Sequence, residues 1–331
     1  MKRLLLTLVL LTCLLGLLGL CLGATGWTWP WAAGSDPVIL WELRLPRTLG
    51  AWLAGALLGL TGAIAQGVFR NPLADPYLLG SASGAALGVA AVLAAGGSAG
   101  AEAMAAGSWL LRLGLTGAAF LGAVGAVFFT LVLAQGLAHT LRLLLAGVII
   151  GVVLGAMTSL LGLAVPAIAP ALQAFMVGST GLLGWTSVGL LGSVLMLGLV
   201  VAALLGPWLD ALALGEETAA SLGLPLGVMR GGLIAVLALG TGTVVAQAGL
   251  IAFVGLAAPH AVRATKRLTH RPLLLASALM GGVLLLAADL LSRWVLAPQE
   301  LPVGILTACL GGGYLLWWMQ RQSRAHGGEA A

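Results

Sequence analysis

The chain has 331 residues, of which 60% are hydrophobic and 8% are charged, and its mean hydropathy is +1.11. This composition excludes a water-soluble domain built on one core, and apolar runs without polar alternation exclude a β-barrel. The formal net charge of +5 comes from basic residues scattered among loops, which argues against nucleic acid as a partner. The sequence therefore predicts an all-α, polytopic membrane protein with about ten membrane-spanning helices in contact with lipid.

The first apolar run follows Lys2 and Arg3 and continues to about Ala24. A small residue at its end would suit a cleaved secretory signal, but the run is longer than a signal core and further spans follow. We expect a retained first helix. Tryptophans crowd the next loop, as they do at a membrane–water interface.

The second span, about Leu49–Val68, carries Gly55 and Gly59, a small-residue pair that lets helices approach closely. Polar residues and prolines after it turn the chain. The following elements are a third span at about Leu78–Ala95, a Gly/Ala-rich loop at Gly96–Gly107 and a fourth span at about Trp109–Leu133.

The fifth span, about Leu141–Val165, contains Gly147, Gly151 and Gly155. This double small-residue register predicts a tightly packed, central helix. Pro166 and Pro170 then break the chain, and a sixth span follows at about Val188–Leu205.

A charged island, Pro207–Arg230, holds Glu216 and Glu217 in a run of good helix formers. It is typical of one or two short helices outside the membrane. Without catalytic residue types, it suits being gripped by a partner, and the alternative is a solvated connector. Four more spans follow, at about Gly231–Ala246, Leu250–Ala258, Leu273–Leu291 and Val303–Trp318.

Orientation follows from the basic residues. With the amino terminus inside, eleven of the fifteen Lys and Arg residues fall on the cytoplasmic side. This bias predicts that both termini and the charged island are cytoplasmic. We expect one transmembrane domain over residues 1–331, with a cytoplasmic loop at about 207–230.

Arg44, Arg47 and Arg293 fall on the opposite side, where the orientation rule disfavours them. They are either interfacial anchors with their charged heads in water or a basic rim that receives acidic side chains of an extracytoplasmic partner. Asp289, one helical turn before Arg293, is a carboxylate well inside a predicted span. We expect it to form a structural ion pair rather than a proton relay.

The source of energy is expected to lie outside the chain. An ion-driven secondary transporter is the less favoured alternative, because it would hold more ionisable groups at mid-membrane. A phosphate-binding loop is missing, since neither Lys2 nor Lys266 follows a glycine. The chain is therefore not expected to be an enzyme, and any ATPase must act in trans. The dispersed Cys and His residues predict no metal site or cofactor.

Nine short blocks follow one another along the chain. They are RLPR at 44–47, RNPLADP at 70–76, LLG with SASGAA at 78–86, RLLLAG at 142–147, LGEETAASLG at 214–223, AGLIAFVGLAAPHAVR at 248–263, HRPLL at 270–274, ADLLSR at 288–293 and ELPVGILTA at 300–308. Together they resemble the FecCD-type permeases of bacterial ABC importers for iron–siderophores, haem and cobalamin. Their order and spacing make the resemblance specific over nearly the whole chain.

The resemblance implies ten helices per subunit, a homodimer around a central path, two cytoplasmic ATPase subunits and a binding protein that docks outside. Arg44, Arg47 and Arg293 match basic positions that pair with glutamates of such binding proteins. The path would be lined by the fifth and tenth helices, with Gly147 and Gly151 on the fifth. The gate would lie near the break at Pro166 and Pro170. The ATPase cleft would receive Leu214, Gly215, Glu216, Glu217, Ala220, Leu222 and Gly223.

The function implied is import of a metal chelate through the bacterial inner membrane by alternating access. An iron–siderophore is expected first, with cobalamin and haem next. Two departures from the family pattern stand out. Gly311–Gly313 lacks the proline usual near the tenth helix, and Thr269 replaces the acidic residue usual before His270.

Overall fold

The computed structural model of the chain describes residues 1–23, 26–27, 29, 37–105, 109–136, 140–221, 223, 225–266 and 268–327. Its helices are α1 (Lys2–Cys21), α2 (Leu45–Val68), α3 (Ser81–Ala105), α4 (Trp109–Leu133), α5 (Thr140–Ala164), α6 (Ala169–Met176), α7 (Trp185–Ala213), α8 (Glu216–Ser221), α9 (Leu226–Ala248), α10 (Val254–Thr265), α11 (His270–Trp294) and α12 (Val303–Gly327). Short elements join them: strands β1 (Leu22–Gly23) and β2 (Gly26–Trp27) pair antiparallel, a π-helix (Ile39–Arg44) leads into α2, and a 3₁₀ helix (Pro166–Ile168) precedes α6.

Helix α2 is the centre of the bundle. It is buried along most of its length and packs on α7, α9, α10 and α11. A Cβ atom at Gly55 would lie 2.3 Å from the carbonyl oxygen of Gly281, and one at Gly59 would lie 2.1 Å from that of Ser277. These glycines therefore bring the backbones of α2 and α11 into contact, which confirms the predicted close approach.

Helix α5 lies at the edge of the bundle, so the prediction of a central helix is wrong within one chain. Of its three spaced glycines, Gly147 approaches another backbone, where a Cβ atom would lie 2.1 Å from the carbonyl oxygen of Leu78. Gly155 has no described heavy atom within 4 Å of its Cβ position. Val152, on the same helix, is 67% exposed.

Helix α3 continues through most of the predicted Gly96–Gly107 loop and ends at Ala105. The loop was expected from its glycines. Alanine, the strongest helix former, is more frequent than glycine in this stretch, and the helical preference prevails.

Helix α7 runs to Ala213, so Pro207 lies inside the helix and not at the start of the predicted island. A proline has no N–H group and leaves the carbonyl four residues earlier without its helical partner. That carbonyl belongs to Ala203, and it accepts a hydrogen bond from Nε of Arg271 at 2.6 Å. The arginine of α11 thus replaces the missing amide. Because α9 begins at Leu226, only residues 214–225 separate α7 from α9.

Seven helices in the described part of the chain are long and apolar enough to cross a membrane. Shorter apolar helices accompany them at Ser81–Gly96, Pro166–Met176 and Val303–Trp317. The all-α, polytopic prediction is confirmed. The count of ten spans and the cytoplasmic placement of both termini stay predictions.

Helices α2 and α11 run antiparallel, which gives the bundle two ends. Near the start of α2, Arg47 contacts Asp289 near the end of α11. Past the other end of α2, Arg70 reaches Glu216. A helix of 24 residues is about 36 Å long, so these contacts lie on opposite sides of the bundle. They are called the Arg47 end and the Glu216 end below.

Candidate functional site

An ion cluster occupies the Arg47 end. Asp289 is fully buried, and its Oδ1 accepts hydrogen bonds from Nε of Arg47 at 3.2 Å and from Nη2 at 3.1 Å. Its Oδ2 accepts a hydrogen bond from Arg293 one helical turn later, which confirms the expected pair. The hydroxyl of Thr180 donates to Oδ1 at 2.6 Å. Donors thus engage both oxygens, as in a structural ion pair.

Glu300 completes the cluster from the loop before α12. Its Oε1 lies 2.8 Å from Nη1 of Arg47. The side chain of Glu300 is 29% exposed and that of Arg47 is 14% exposed, whereas Asp289 is sealed off. The Arg47–Glu300 pair is therefore the part of the ion cluster that reaches the surface. Sequence reasoning gave Glu300 no role, although the residue lies in one of the matched blocks.

The other two predicted rim arginines hold the end of α1. Arg44 is half-buried and Arg293 is 2% exposed. The acceptors, at 2.9 to 3.5 Å, are the carbonyls of Leu20 and Cys21 for Arg44 and of Gly19 and Leu22 for Arg293. The last carbonyls of a helix have no partner within it, so these two guanidinium groups cap α1.

Three breaks in the helices meet next to Thr180, at a place that we call the break junction (residues 175–179, 248–251 and 303–304). Gly178, whose φ is +64°, packs where a Cβ atom would lie 2.2 Å from the carbonyl oxygen of Leu250. The amide of Gly304, in the first turn of α12, donates to the carbonyl of Gly178 at 3.4 Å. The predicted gate residues Pro166 and Pro170 lie in the segment that leads into this junction.

The described residues among 214–225, called the 214–225 segment, lie at the Glu216 end of the bundle. Gly215 has a φ of +117° and Gly223 a φ of +73°, so glycines in a conformation that other residues adopt with strain bracket α8. Leu214 is 70% exposed, and Glu217 and Ala220 are exposed as well. Leu222, the remaining predicted residue, lies outside the described residues.

Glu216 ties this segment to three other parts of the chain. Its Oε1 accepts hydrogen bonds from the hydroxyl of Thr140 at 2.8 Å and from Nη2 of Arg230 at 3.0 Å, and it lies 3.7 Å from Nη2 of Arg70. Burial raises the pKa of Glu216, but the Thr140 hydrogen bond and the two guanidinium charges outweigh it, and the net shift of the pKa is downward.

Sequence reasoning missed this arrangement, because it counted Arg230 only towards orientation. The side chain of Arg230 is 3% exposed and extends from the second turn of α9 to Glu216, the first residue of α8. Thr140 is the first residue of α5. The carboxylate therefore joins α8 to the starts of two long helices.

The sequence matches the FecCD transport family over residues 8–321. The chain belongs to this family. It is accordingly an ABC transporter permease and a multi-pass protein of the bacterial inner membrane. Among the described residues, no group of three or more His, Cys, Asp or Glu side chains could hold a metal ion.

Relatives of this family member cover almost all of it. The vitamin B12 import system permease protein BtuC of Salmonella paratyphi A is 39% identical over 328 residues, which are 97% of this chain and 96% of the relative. The protein of the same name from Salmonella typhi is 39% identical over 329 residues, with the same coverage.

Two solved structures resemble the fold. One is an inward-facing conformation described as of the metal-chelate type of ABC transporter. It has a TM-score of 0.85 and 27% identity, and the match covers 97% of this chain and all of the other. The second is PsaBC from Streptococcus pneumoniae in complex with Fab, with a TM-score of 0.51 and 17% identity over 79% of this chain and 88% of the other. This second likeness concerns the fold alone.

Proposed function

We propose that this permease carries a metal chelate from an extracytoplasmic binding protein into the cytoplasm, and that a separate pair of ATPase subunits supplies the energy. The observation that carries the proposal is similarity at 39% identity along 97% of the chain to permeases named for vitamin B12 import. This favours cobalamin over the iron–siderophore expected first from the sequence, with haem as the third candidate.

The ATPase contact is assigned to the exposed residues of the 214–225 segment. Leu214, 70% exposed, and Glu217 offer an apolar and an acidic group to a cleft, and Gly215, Ala220 and Gly223 belong to the same segment. The family resemblance adds Leu222 to this assignment. Glu216 has a different part, because its carboxylate already bonds to Thr140 and Arg230. We assign it to transmission: a push on α8 moves the starts of α5 and α9.

The binding-protein contact is assigned to the Arg47 end. Arg47 is the main candidate, since its pair with Glu300 reaches the surface. Arg44 and Arg293 donate to carbonyls at the end of α1, and Arg293 also pairs with Asp289, so both would support the rim by fixing that helix.

A second copy of the chain is assigned to the exposed face of α5, and the path for the chelate to α5 and α12. Both helices are peripheral within one chain, and α5 exposes Val152 and other large apolar residues. Gly147 and Gly151 remain the proposed path residues of α5, and Pro166 and Pro170 the proposed gate. One bilobed binding protein can meet two copies of one rim in such a twofold dimer.

The experiment is uptake by proteoliposomes that contain the permease with its ATPase and binding protein. Labelled cyanocobalamin, a ferric siderophore and haem are supplied separately, with ATP inside and with all ion gradients collapsed. We expect ATP-dependent uptake of one chelate, cyanocobalamin first. Uptake by the permease alone that follows an ion gradient would contradict the proposal and support a secondary transporter.

A further inference from the structure

The guanidinium group of Arg47 already has acidic partners within the chain. Its Nε and Nη2 bond to Oδ1 of Asp289 at 3.2 and 3.1 Å, and its Nη1 bonds to Oε1 of Glu300 at 2.8 Å. A carboxylate binds a guanidinium group best through two nitrogens of one edge. Asp289, which is fully buried, occupies the edge formed by Nε and Nη2. An incoming carboxylate therefore has to take Nη1, where Glu300 lies.

We propose that Glu300 is an internal placeholder for the acidic side chain of the binding protein, so that docking at Arg47 displaces it. This inference rests on the proposed docking at Arg47. Glu300 suits such exchange because its side chain is 29% exposed, whereas Asp289 is 0% exposed. An ion pair at a partly exposed position contributes little to stability, and another carboxylate can replace it at small cost.

Release of Glu300 bears on the break junction. Three residues after Glu300, the chain enters α12 at Val303. The amide of Gly304 donates to the carbonyl of Gly178, and a Cβ atom at Gly304 would lie 2.2 Å from the carbonyl oxygen of Val177. Thr180, which directly follows residues 175–179 of the break junction, donates its hydroxyl to Asp289. The loop that holds Glu300 thus leads into α12, and the first turn of α12 is hydrogen-bonded to the segment after α6. Glu300 acts as a positioning residue that makes the junction sensitive to docking.

The test uses a thiol beside the pair, in a background without Cys13, Cys21 and Cys309. Gly181 is exposed, and a Cβ atom there would lie 3.7 Å from Oε2 of Glu300 and 3.9 Å from Nη1 of Arg47. Gly181→Cys is labelled in membranes with an anionic sulfonatoethyl and a cationic trimethylammonioethyl methanethiosulfonate. The ratio of the anionic to the cationic rate reports whether Arg47 is open to an anion.

We expect Glu300→Gln to raise this ratio by about tenfold, because one negative charge close to the thiol is lost. Glu300→Asp keeps the charge and should leave the ratio near that of the parent, as should Glu217→Gln at the opposite end. Arg47→Ala should lower it. A ratio that Glu300→Gln leaves unchanged overturns the placeholder, whatever the uptake assay gives.

ATP-driven uptake and ATP hydrolysis test docking at Arg47 separately from the role of Glu300. Glu300→Gln should keep binding-protein-dependent uptake but raise ATP hydrolysis without binding protein by about two- to fivefold, as expected for loss of a weak ion pair. Unchanged basal hydrolysis overturns the link to the junction. Normal uptake by an Arg47→Glu variant overturns docking itself, even where the labelling ratio responds to Glu300.

Discussion

Asp75 lies in the turn between α2 and α3, where its Oδ1 accepts the backbone N–H of Tyr77 at 2.8 Å. Burial raises the pKa of its carboxyl to about 6, and the hydrogen bond from Tyr77 offsets only part of that. A raised pKa means that the folded protein holds this proton more tightly than the unfolded chain. The resulting stability is complete below the ordinary pKa of 3.8 and is lost as the pH rises through about 6.

Asp75→Asn should therefore stabilise the protein at alkaline pH. The amide keeps an acceptor for Tyr77 but cannot ionise, so the gain is on the order of 2 kcal/mol near pH 8 and shrinks towards pH 4. Thermal unfolding of the detergent-solubilised protein at both pH values measures it. Glu217→Gln, at an exposed site, is the matched control. An equal gain in the free energy of unfolding at both pH values would contradict the role of burial in raising the pKa of Asp75.

Arg47→Glu should abolish uptake while the permease still co-purifies with its ATPase. The substitution reverses the charge of the proposed docking residue and leaves the 214–225 segment untouched. Because a glutamate beside Asp289 could disturb folding, Arg47→Gln and elution as a single species from a sizing column accompany the measurement. Wild-type uptake by both variants would remove the docking assignment.

At the scale of elements, α7 and α11 are joined at the Glu216 end. Nε of Arg271 donates to the carbonyl of Ala203, and Oδ1 of Asp210 accepts the backbone N–H of His270 at 2.9 Å. Asp210 thereby satisfies one of the unpaired amides in the first turn of α11 from a neighbouring helix. Since α7 leads directly into the 214–225 segment, these bonds fix the start of α11 to the helix that carries this segment.

Arg271→Ala should lower the free energy of unfolding by about 1 kcal/mol, because it leaves the Ala203 carbonyl without a donor. Pro207→Ala restores an N–H at position 207, so the same arginine substitution should cost less in that background. A double-mutant cycle by thermal unfolding gives the difference. Equal costs in the two backgrounds would mean that Arg271 does not replace the amide missing at Pro207.

Variants of Glu216 and Glu217 can separate two proposed roles of the 214–225 segment. One role is transmission of movement to α5 and α9, and the other is contact with the ATPase. We expect Glu216→Gln to keep the ATPase bound but to lower uptake per ATP hydrolysed several-fold, since one of its acceptor oxygens and its charge are lost to Thr140 and Arg230. Glu217→Lys should instead weaken recovery of the ATPase by affinity purification, and Glu216→Lys should affect both readouts. If Glu217→Lys uncoupled transport while Glu216→Gln did not, the two assignments would be reversed.

At the scale of the whole molecule, the chain exposes large apolar residues on several helices, as a membrane protein does. Val152 of α5 is 67% exposed and Leu10 of α1 is 59% exposed. Exposure alone therefore does not distinguish a lipid-facing side chain from one that meets a second copy. Helix α5 is assigned to the dimer because the chelate path of the family resemblance includes it.

Val152→Trp should shift the purified permease from dimer to monomer, because a bulky ring on a close helix–helix contact prevents packing. Leu10→Trp is the matched control and should leave the dimer intact, since lipid accommodates the ring. Mass photometry in nanodiscs reads the two states. A dimer that survives Val152→Trp but not Leu10→Trp would place the contact on α1.

Local properties of the sequence were sufficient for the class of protein and for much of its segmentation. Helix α4 has the predicted bounds, Trp109–Leu133, because its apolar length and its flanking breaks are features of contiguous residues. Gly55 and Gly59 were correctly expected to bring helices together. The course of α7 through Pro207 was not predictable, since the donor that compensates the proline, Arg271, comes 64 positions later in the chain.

The sequence by itself determined an all-α membrane chain of the FecCD family, because hydropathy, helix propensity and motif order are carried by neighbouring residues. Only the tertiary structure decided which charges meet. Asp289 pairs with Arg47, which lies 242 positions earlier in the chain, and Glu216 joins α8 to Thr140 and Arg230. Such pairs depend on the packing of helices through glycine contacts, and a charge inside a membrane protein is tolerated where that packing supplies its partner.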